Sequence, residues 1–287
     1  MNLGLGLRLG QSGGRAKYTD IAIPALANAV RCWSIRRNIP TYKNGNAVRI
    51  IRTDGGSETD VKFSPNGLLS ISGADAFVNA LYEQNGNVGS ALVQSTFANC
   101  PAIYQSNVLL KGLRVDNTDS LIMAVADTGL EAITNATAVA DNGFSCSFWI
   151  KLSTTAGGYS LLQRRTASGL LYFLVASDKF GFFYKSSSFQ NMGSADTNWN
   201  HIVLTAKGAD GTANGLKGYR NGNTTPVLNA TMPNVSTGSY LNLGIRSAPT
   251  GQNYEINDLI MFNKDLSAAE MLALYNAQAP YYGLGAK

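Results

Sequence analysis

Residues 254–275 read YEINDLIMFNKDLSAAEMLALY. The first half is a strand-like run over 254–263, and the second half opens a helix. Ser267 sits at the N-cap, with Glu270 three residues on as its reciprocal partner. Leu266 and Met271 occupy the hydrophobic-staple positions on either side, so Leu272, Leu274 and Tyr275 can pack inward. A strand that runs straight into a capped amphipathic helix needs a sheet to lie on. The sequence upstream supplies one. Strand-like runs follow one another at 120–126, 144–153, 158–165, 170–176, 180–185, 199–206, 215–221 and 239–245. Gly157-Gly158, Asp210-Gly211 and Asn221-Gly222 separate them as turn signals. Many short strands at regular spacing predict an all-β fold, an antiparallel sandwich with a few short helices.

The N-terminal third reads differently. Leu3, Leu5, Leu7 and Leu9 alternate with Gly4, Gly6, Arg8 and Gly10, the period of a strand with one leucine face and one nearly bare face. Such a strand gains main-chain pairing only by adding to a sheet edge, its own or a partner's. Residues Leu3, Leu5, Leu7, Arg8 and Leu9 are therefore the expected interface of an extended arm, followed by the flexible linker Gln11–Ala16. Ile23, Leu26, Val30 and Trp33 share one helical face, with Pro24 in the first turn, so a helix is expected there. Ala47–Thr53 reads as a strand before the turn Asp54-Gly55-Gly56. A second short helix is expected from Ser72, with Asp75 as capping partner and Phe77, Val78 and Leu81 on its apolar face. The expected organisation is an anchoring arm over 1–17, a helix/strand segment over 18–114 that packs on the sandwich, and the sandwich over 115–287.

Composition bounds what this chain does. Of 287 residues, 45% are hydrophobic and only 14% charged, which excludes a disordered chain and leaves a polar but weakly charged surface. No run of about 18 apolar residues is present, so no membrane-spanning helix is expected. The 30 glycines have no three-residue period, which excludes a collagen-like fibre. The net charge of +5 belongs to the N-terminal quarter: residues 1–64 carry ten Lys/Arg against four Asp/Glu, and the remainder carries thirteen against fourteen. Arg8, Arg15, Lys17, Arg31, Arg36 and Arg37 are dispersed and only Trp33 is interleaved, so a protein partner is expected rather than nucleic acid or membrane. Cys32, Cys100 and Cys146 are too far apart for a CxxC site and odd in number, and are expected to be buried free thiols. Residues 1–10 lack a secretory pattern, so folding in a reducing cytoplasm is expected, and the sequons at Asn135, Asn223, Asn229 and Asn234 read as Asn/Thr-rich loop surface.

The closing stretch resembles the last strand and capping helix of concanavalin A-like (laminin-G-like) jelly-roll domains. FSCSFWIKL at 144–152 and WNHIVLTAKG at 199–208 resemble the same family, as does YRNGN at 219–223, whose Asn221-Gly222 reads as a type I′ turn. This resemblance covers roughly residues 115–279. A second resemblance, carried by AVRIIRTDGGSETDVKFSPNGLLS and GADAFVNALYEQNGNVGSALVQ, is to the opening of fungal-type α-L-arabinofuranosidase catalytic domains. The motif Tyr-Asp-Gln-Ser-Gly of those enzymes reads here Tyr82-Glu83-Gln84-Asn85-Gly86. A short opening fused to such a sandwich, with a Leu-Gly arm, is similar to tailed-bacteriophage virion proteins.

An enzymatic site is not expected. A glycosidase needs two facing carboxyl groups, about 5 Å apart to retain or roughly 6.5–9.5 Å to invert. The five glutamates are 58, 83, 131, 255 and 270, of which Glu270 is a cap and Glu58 lies in a polar loop. Glu255 and Asp258 are three apart on one strand, so alternation places them on opposite faces. His201, the single histidine, reads as structural. No GxSxG, P-loop, HExxH or EF-hand motif occurs. Asp116, Asn117 and Asp119 match a calcium-loop composition but equally a common turn. No catalytic residue, metal or cofactor is therefore assigned. A glycan site would need an exposed aromatic, with Tyr159, Tyr172, Tyr184, Tyr219, Tyr240 and Tyr254 as candidates, and alternation over Phe180–Tyr184 turns at least one aromatic outward. The resemblances imply a non-catalytic virion structural protein on the particle exterior, whether head decoration, collar or tail appendage. Its arm would be anchored to capsid, collar or tail subunits in a homo-oligomer. A carbohydrate-binding adhesin contacting host surface glycans and an arabinofuranosidase-like hydrolase are the alternatives.

Overall fold

The computed structural model describes residues 26, 29–39, 41–42, 44–55, 57–85, 91–116, 118–123, 136–156, 159–165, 170–184, 189–209, 211–232, 242–245 and 253–287. The arm residues Leu3, Leu5, Leu7, Arg8 and Leu9 lie outside them, as do Asn117 and Tyr240. The strands are β1 (Ala29–Trp33), β2 (Asn46–Arg52), β3 (Thr59–Lys62), β4 (Ala76–Leu81), β5 (Leu92–Val93), β6 (Ala102–Gln105), β7 (Val108–Asp116), β8 (Leu121–Met123), β9 (Phe144–Leu152) and β10 (Tyr159–Arg165). They continue as β11 (Leu170–Ala176), β12 (Lys179–Tyr184), β13 (Gln190–Ser194), β14 (Asn200–Ala206), β15 (Leu216–Arg220), β16 (Leu228–Ala230), β17 (Asn242–Ile245) and β18 (Asn253–Phe262). Among the described residues two α-helices accompany them, α1 (Ala136–Asp141) and α2 (Ala268–Tyr282).

The described ladders are antiparallel, and the two layers diverge from β4. Its first residues, Ala76 and Phe77, pair with β6, whereas Ala80 and Leu81 pair with β5. The front layer runs β4-β6-β7-β18-β9-β14-β15-β16 and the back layer β4-β5-β8-β17-β10-β11-β12-β13. β2 and β3 extend the sheet from the other edge of β4. The strands expected at 144–153 and 199–206 thus form as the alternation predicts.

Alternation in β9 shows how the layers are filled. Phe144, Cys146, Phe148, Ile150 and Leu152 point between the sheets and meet Phe173, Val175, Phe180 and Phe182 of the back layer in one core. The other face of β9 carries Ser145, Ser147, Trp149 and Lys151. Helix α2 covers it as far as Trp149, with Met271 and Leu274, and Leu266 just before the helix, packed on Val203, Tyr219, Ile260 and Phe262. The helix begins as expected: Glu270 N donates to Ser267 Oγ at 3.3 Å, and Glu270 Oε2 accepts from Ser267 N at 3.0 Å. It ends at Gly283, whose φ of 83° is the left-handed conformation that glycine supplies without penalty. Asn221 and Gly222 have φ of 54° and 71°, the sign required at both centres of a type I′ turn.

Residues 29–33 and 76–81, expected within the two helices of the N-terminal third, are strands. Residues 29–33 form β1, paired with Leu259–Phe262 of β18. Cys32 and Trp33, both fully buried, join different cores, so successive side chains point to opposite sides as a strand requires. The i, i+3, i+7, i+10 spacing is a coincidence that pairing with β18 overrides. Likewise Phe77, Val78 and Leu81 belong to β4, and Val78 pairs with Ile50 inside the core. Asp75 caps no helix; its Oδ1 accepts from the Ser106 N–H of the β6–β7 hairpin at 2.9 Å. Residues 29–114 thus enter the sheets as strands, joining the front layer directly at β7 and β1.

Candidate functional site

The site-bearing surface is the α2-covered face of the front sheet, where β18 departs from regular pairing. Asn257 lies opposite Trp149 and Ile260 opposite Ser147, so three steps on β18 match two on β9. The extra residue is a β-bulge. Within it Asp258 has a φ of 52°, a left-handed conformation that aspartate tolerates better than most residues. The bulge undoes the alternation expected for Glu255 and Asp258. Both now project from the α2 side: Asp258 accepts from Tyr282 Oη at 2.9 Å, and Glu255 lies in register with Lys151, two residues from the Trp149 that α2 covers.

The shared side does not bring the two carboxylates into one cleft. Asp258 is completely buried. It forms an ion pair with Arg36 and accepts from Ser34 Oγ at 2.5 Å and Asn38 Nδ2 at 2.8 Å. Asn257 continues the knot, accepting from Ile35 N at 3.0 Å and donating to the Lys111 carbonyl at 2.9 Å. A buried carboxylate with an arginine and three neutral donors is fully occupied by its own protein. The adjoining aromatic layer is equally closed. Trp149 stacks on Tyr282 and His201 at ring separations of 4.2 and 5.0 Å, and its Nε1 donates to Gln278 Oε1 at 2.7 Å. His201 Nε2 lies 2.8 Å from Ser147 Oγ. Burial pulls the His201 imidazole down to about 3, so it is neutral and structural at ordinary pH.

Two residues of the Tyr82–Gly86 motif, Glu83 and Gln84, are buried. Glu83 accepts from Cys32 N at 2.9 Å and Asn85 N at 2.8 Å. Gln84 accepts from Asn38 N and Ile39 N at 2.8 and 3.2 Å and donates to the carbonyls of Ser34 and Arg36 at 3.3 and 2.7 Å. Gln84 thereby satisfies the irregular backbone that follows β1, and Glu83 ties β1 to the turn at Asn85. The thiols are free and buried, and burial pushes Cys32 and Cys146 well up and Cys100 to about 11, which suppresses their nucleophilicity.

Beyond the end of α2 the same face opens. Lys151, Glu255 and Arg114 stand in register on β9, β18 and β7. Lys151 Nζ is 3.7 Å from Glu255 Oε1, with side-chain exposures of 43% and 20%. Arg114 Nη1 donates to Gln105 Oε1 at 3.2 Å, and both are half-buried. Partial burial raises the Glu255 carboxyl against the opposing pull of Lys151, Arg114 and Lys111. The Trp199 indole walls this row on the helix side: a Cβ added at Gly112 would lie 2.8 Å from its ring and 2.9 Å from the Ile256 carbonyl. Only glycine lets the indole lie this close to β7.

The remaining sequence candidates fall elsewhere. Tyr219 and Tyr254 are core residues rather than an exposed platform, because their strand positions face packed layers. Phe180 and Phe182 are also core. The side chains of Tyr159, Tyr172 and Tyr184 are not among the described ones. Asp119 Oδ2 accepts from Asp116 N at 3.0 Å, and burial together with Asp116 raises its carboxyl to about 7. Among the described residues no group of three His, Cys, Asp or Glu is arranged to hold a metal ion. Sequence reasoning misses the row at Glu255 because Lys151 and Arg114 acquire meaning only from register.

Comparison with solved structures agrees with the architecture. A GH54 α-L-arabinofuranosidase soaked with a cyclic sulfate inhibitor superposes with a TM-score of 0.59 at 11% identity, over 87% of this chain and 63% of that one. An arabinofuranosidase complexed with arabinofuranosyl-α-1,2-xylobiose gives 0.58 at 10% identity, over 87% and 62%. The binding domain of botulinum neurotoxin DC, in complex with rat synaptotagmin II, gives 0.51 at 16% identity, over 88% and 52%. The chain thus spans less than two thirds of each of these structures, and at such identities the likeness is one of fold. No curated protein matches the chain. The sequence pattern of the concanavalin A-like lectin/glucanases superfamily matches residues 126–271, just over half of the chain, and the protein belongs to that superfamily.

Proposed function

We propose that the chain is a non-catalytic attachment module that holds a saccharide at the row Lys151–Glu255–Arg114. One observation carries this reading: Asp258, the carboxylate nearest Glu255 along β18, is consumed in a buried ion pair and three further hydrogen bonds, so Glu255 faces cations rather than a second acid. General acid and nucleophile or base must both be carboxyls at a defined separation in the usual glycosidase. A single carboxylate flanked by a lysine and an arginine instead supplies an acceptor between donors, which suits the hydroxyls of a sugar. Glu83, at the position where the resemblance to arabinofuranosidases places an aspartate, is committed to backbone N–H groups and cannot complete a pair.

The setting implied by the Leu-Gly arm belongs to the same proposal. The module would stand on the exterior of a bacteriophage particle, with residues 3–9 adding a strand to another virion subunit. Two measurements test the reading. The whole protein should bind members of a glycan array while releasing no arabinose from a chromogenic arabinofuranoside. Release that disappears in Glu255→Ala would establish the hydrolase instead. Deleting residues 2–10 should leave a folded protein that no longer joins the particle, and normal incorporation would remove the anchor.

A further inference from the structure

We propose that the row Lys151–Glu255–Arg114 selects a saccharide bearing a carboxylate, a uronate or a sialate, over its neutral counterpart. The inference rests on the saccharide-binding reading and adds the charge of the ligand. Adjacent strands lie about 4.8 Å apart, so Lys151 and Arg114 stand on the order of 10 Å apart across Glu255, the width of one sugar unit with its exocyclic groups. Within that width the row carries two cations and one anion. Lys111, exposed two strands from Lys151, adds a third cation within electrostatic reach of Glu255. Asp116, exposed and two residues beyond Arg114 on β7, is the acid at the outer end.

The internal pairing is too loose to neutralise the excess. Lys151 and Glu255 approach only to 3.7 Å, whereas the pair at Asp258 is in direct hydrogen-bond contact. Arg114 is held by a single bond to a neutral amide, Gln105 Oε1. Its planar fork is the side-chain geometry that grips a carboxylate with two parallel bonds. A ligand carboxylate on Arg114 leaves the neighbouring sugar hydroxyls facing Glu255 as acceptor and Lys151 as donor. Trp199, packed over Gly112 two residues before Arg114 on β7, bounds the row on the helix side. A neutral sugar would use Glu255 equally well but leave the surplus charge unmatched.

The test is binding of the whole protein to an array that pairs uronate- and sialate-bearing saccharides with neutral counterparts, followed by titration of the tightest ligand. Acidic saccharides should bind at least tenfold more tightly, and Arg114→Ala should abolish that preference with an unchanged melting temperature. The preference should shrink in 0.5 M salt, and Glu255→Gln should tighten uronate binding by removing a like charge. Binding of neutral saccharides alone would overturn the inference and leave the saccharide reading standing. Acidic binding that survives both Arg114→Ala and Lys151→Ala would move the site elsewhere. An array with no bound saccharide would remove both.

Discussion

Asp258 and Glu255 are separated by three residues on one strand, project from the same side of one sheet, and meet opposite fates. Asp258 sits under α2 with no exposure and an arginine for a partner. Glu255 sits past the helix end, one fifth exposed, with a loosely held lysine. The difference is set by what covers the sheet, not by the strand. Where Tyr282, Ser34, Arg36 and Asn38 converge, a charge is enclosed and must be satisfied completely. Where the cover stops, a carboxylate keeps unused acceptor capacity, and a ligand can take it.

The comparison breaks most visibly at the buried end. Asp258→Ala takes the carboxylate away from buried Arg36 and should cost about 3–5 kcal/mol, the range for removing one partner of a buried pair. Urea denaturation measures it, and a loss below about 1 kcal/mol would mean that water reaches Arg36. Next comes Gln84, which holds the irregular backbone over residues 34–39 beside this knot. Gln84→Ala removes the acceptor of two backbone N–H groups and the donor of two carbonyls, and should cost about 2–3 kcal/mol by the same measurement. A variant as stable as the parent would show that residues 34–39 hold their place without Gln84.

Acid sharpens the contrast further. His201 is neutral in the fold down to about pH 3, whereas its unfolded pKa is about 6.5. Below about 6.5 the unfolded chain takes a proton that the native state refuses, so stability falls as pH drops from about 6.5 towards 3. The loss should reach about 2 kcal/mol at pH 5. Asp119 has the opposite sign: its carboxyl, raised to about 7, favours the fold when protonated, and that gain is lost as pH rises from about 3.8 to 7. The difference between the parent and His201→Gln isolates the histidine, and a difference that does not change between pH 7 and pH 5 would show that His201 is protonated in the fold.

Much of this architecture is legible in the chain's own letters. The runs at 144–153, 199–206 and 254–263 announce strands because each is long and turn-bounded, and Ser267 and Glu270 announce α2 because a cap is a local device. The family follows from the same stretches. What escapes a linear reading is non-local. Arg36 and Asp258 are 222 residues apart, and nothing in either neighbourhood names the other. The bulge that turns Asp258 to the α2 side breaks the alternation rule at the one place where the rule separates two acids. Ile23–Trp33 looks helical because four apolar residues fit a 3.6 period, and the edge that β18 offers makes Ala29–Trp33 a strand. The row at Glu255 depends on register among three strands drawn from residues 108–116, 144–152 and 253–262.

The smallest effect on stability is expected at a residue on which the ligand bears. Glu255→Gln removes a partner from Lys151 in a partly exposed pair, an arrangement worth about 0–1 kcal/mol, so denaturation should move by less than about 0.5 kcal/mol. The amide keeps an acceptor oxygen for a sugar hydroxyl but drops the charge. If Glu255 serves the fold as Asp258 does, the variant should instead unfold early and leave any ligand affinity unaltered. A substitution that is silent in urea and audible in binding places the function at the open end of the sheet, because only a side chain with spare capacity can be missed by a ligand and not by the protein.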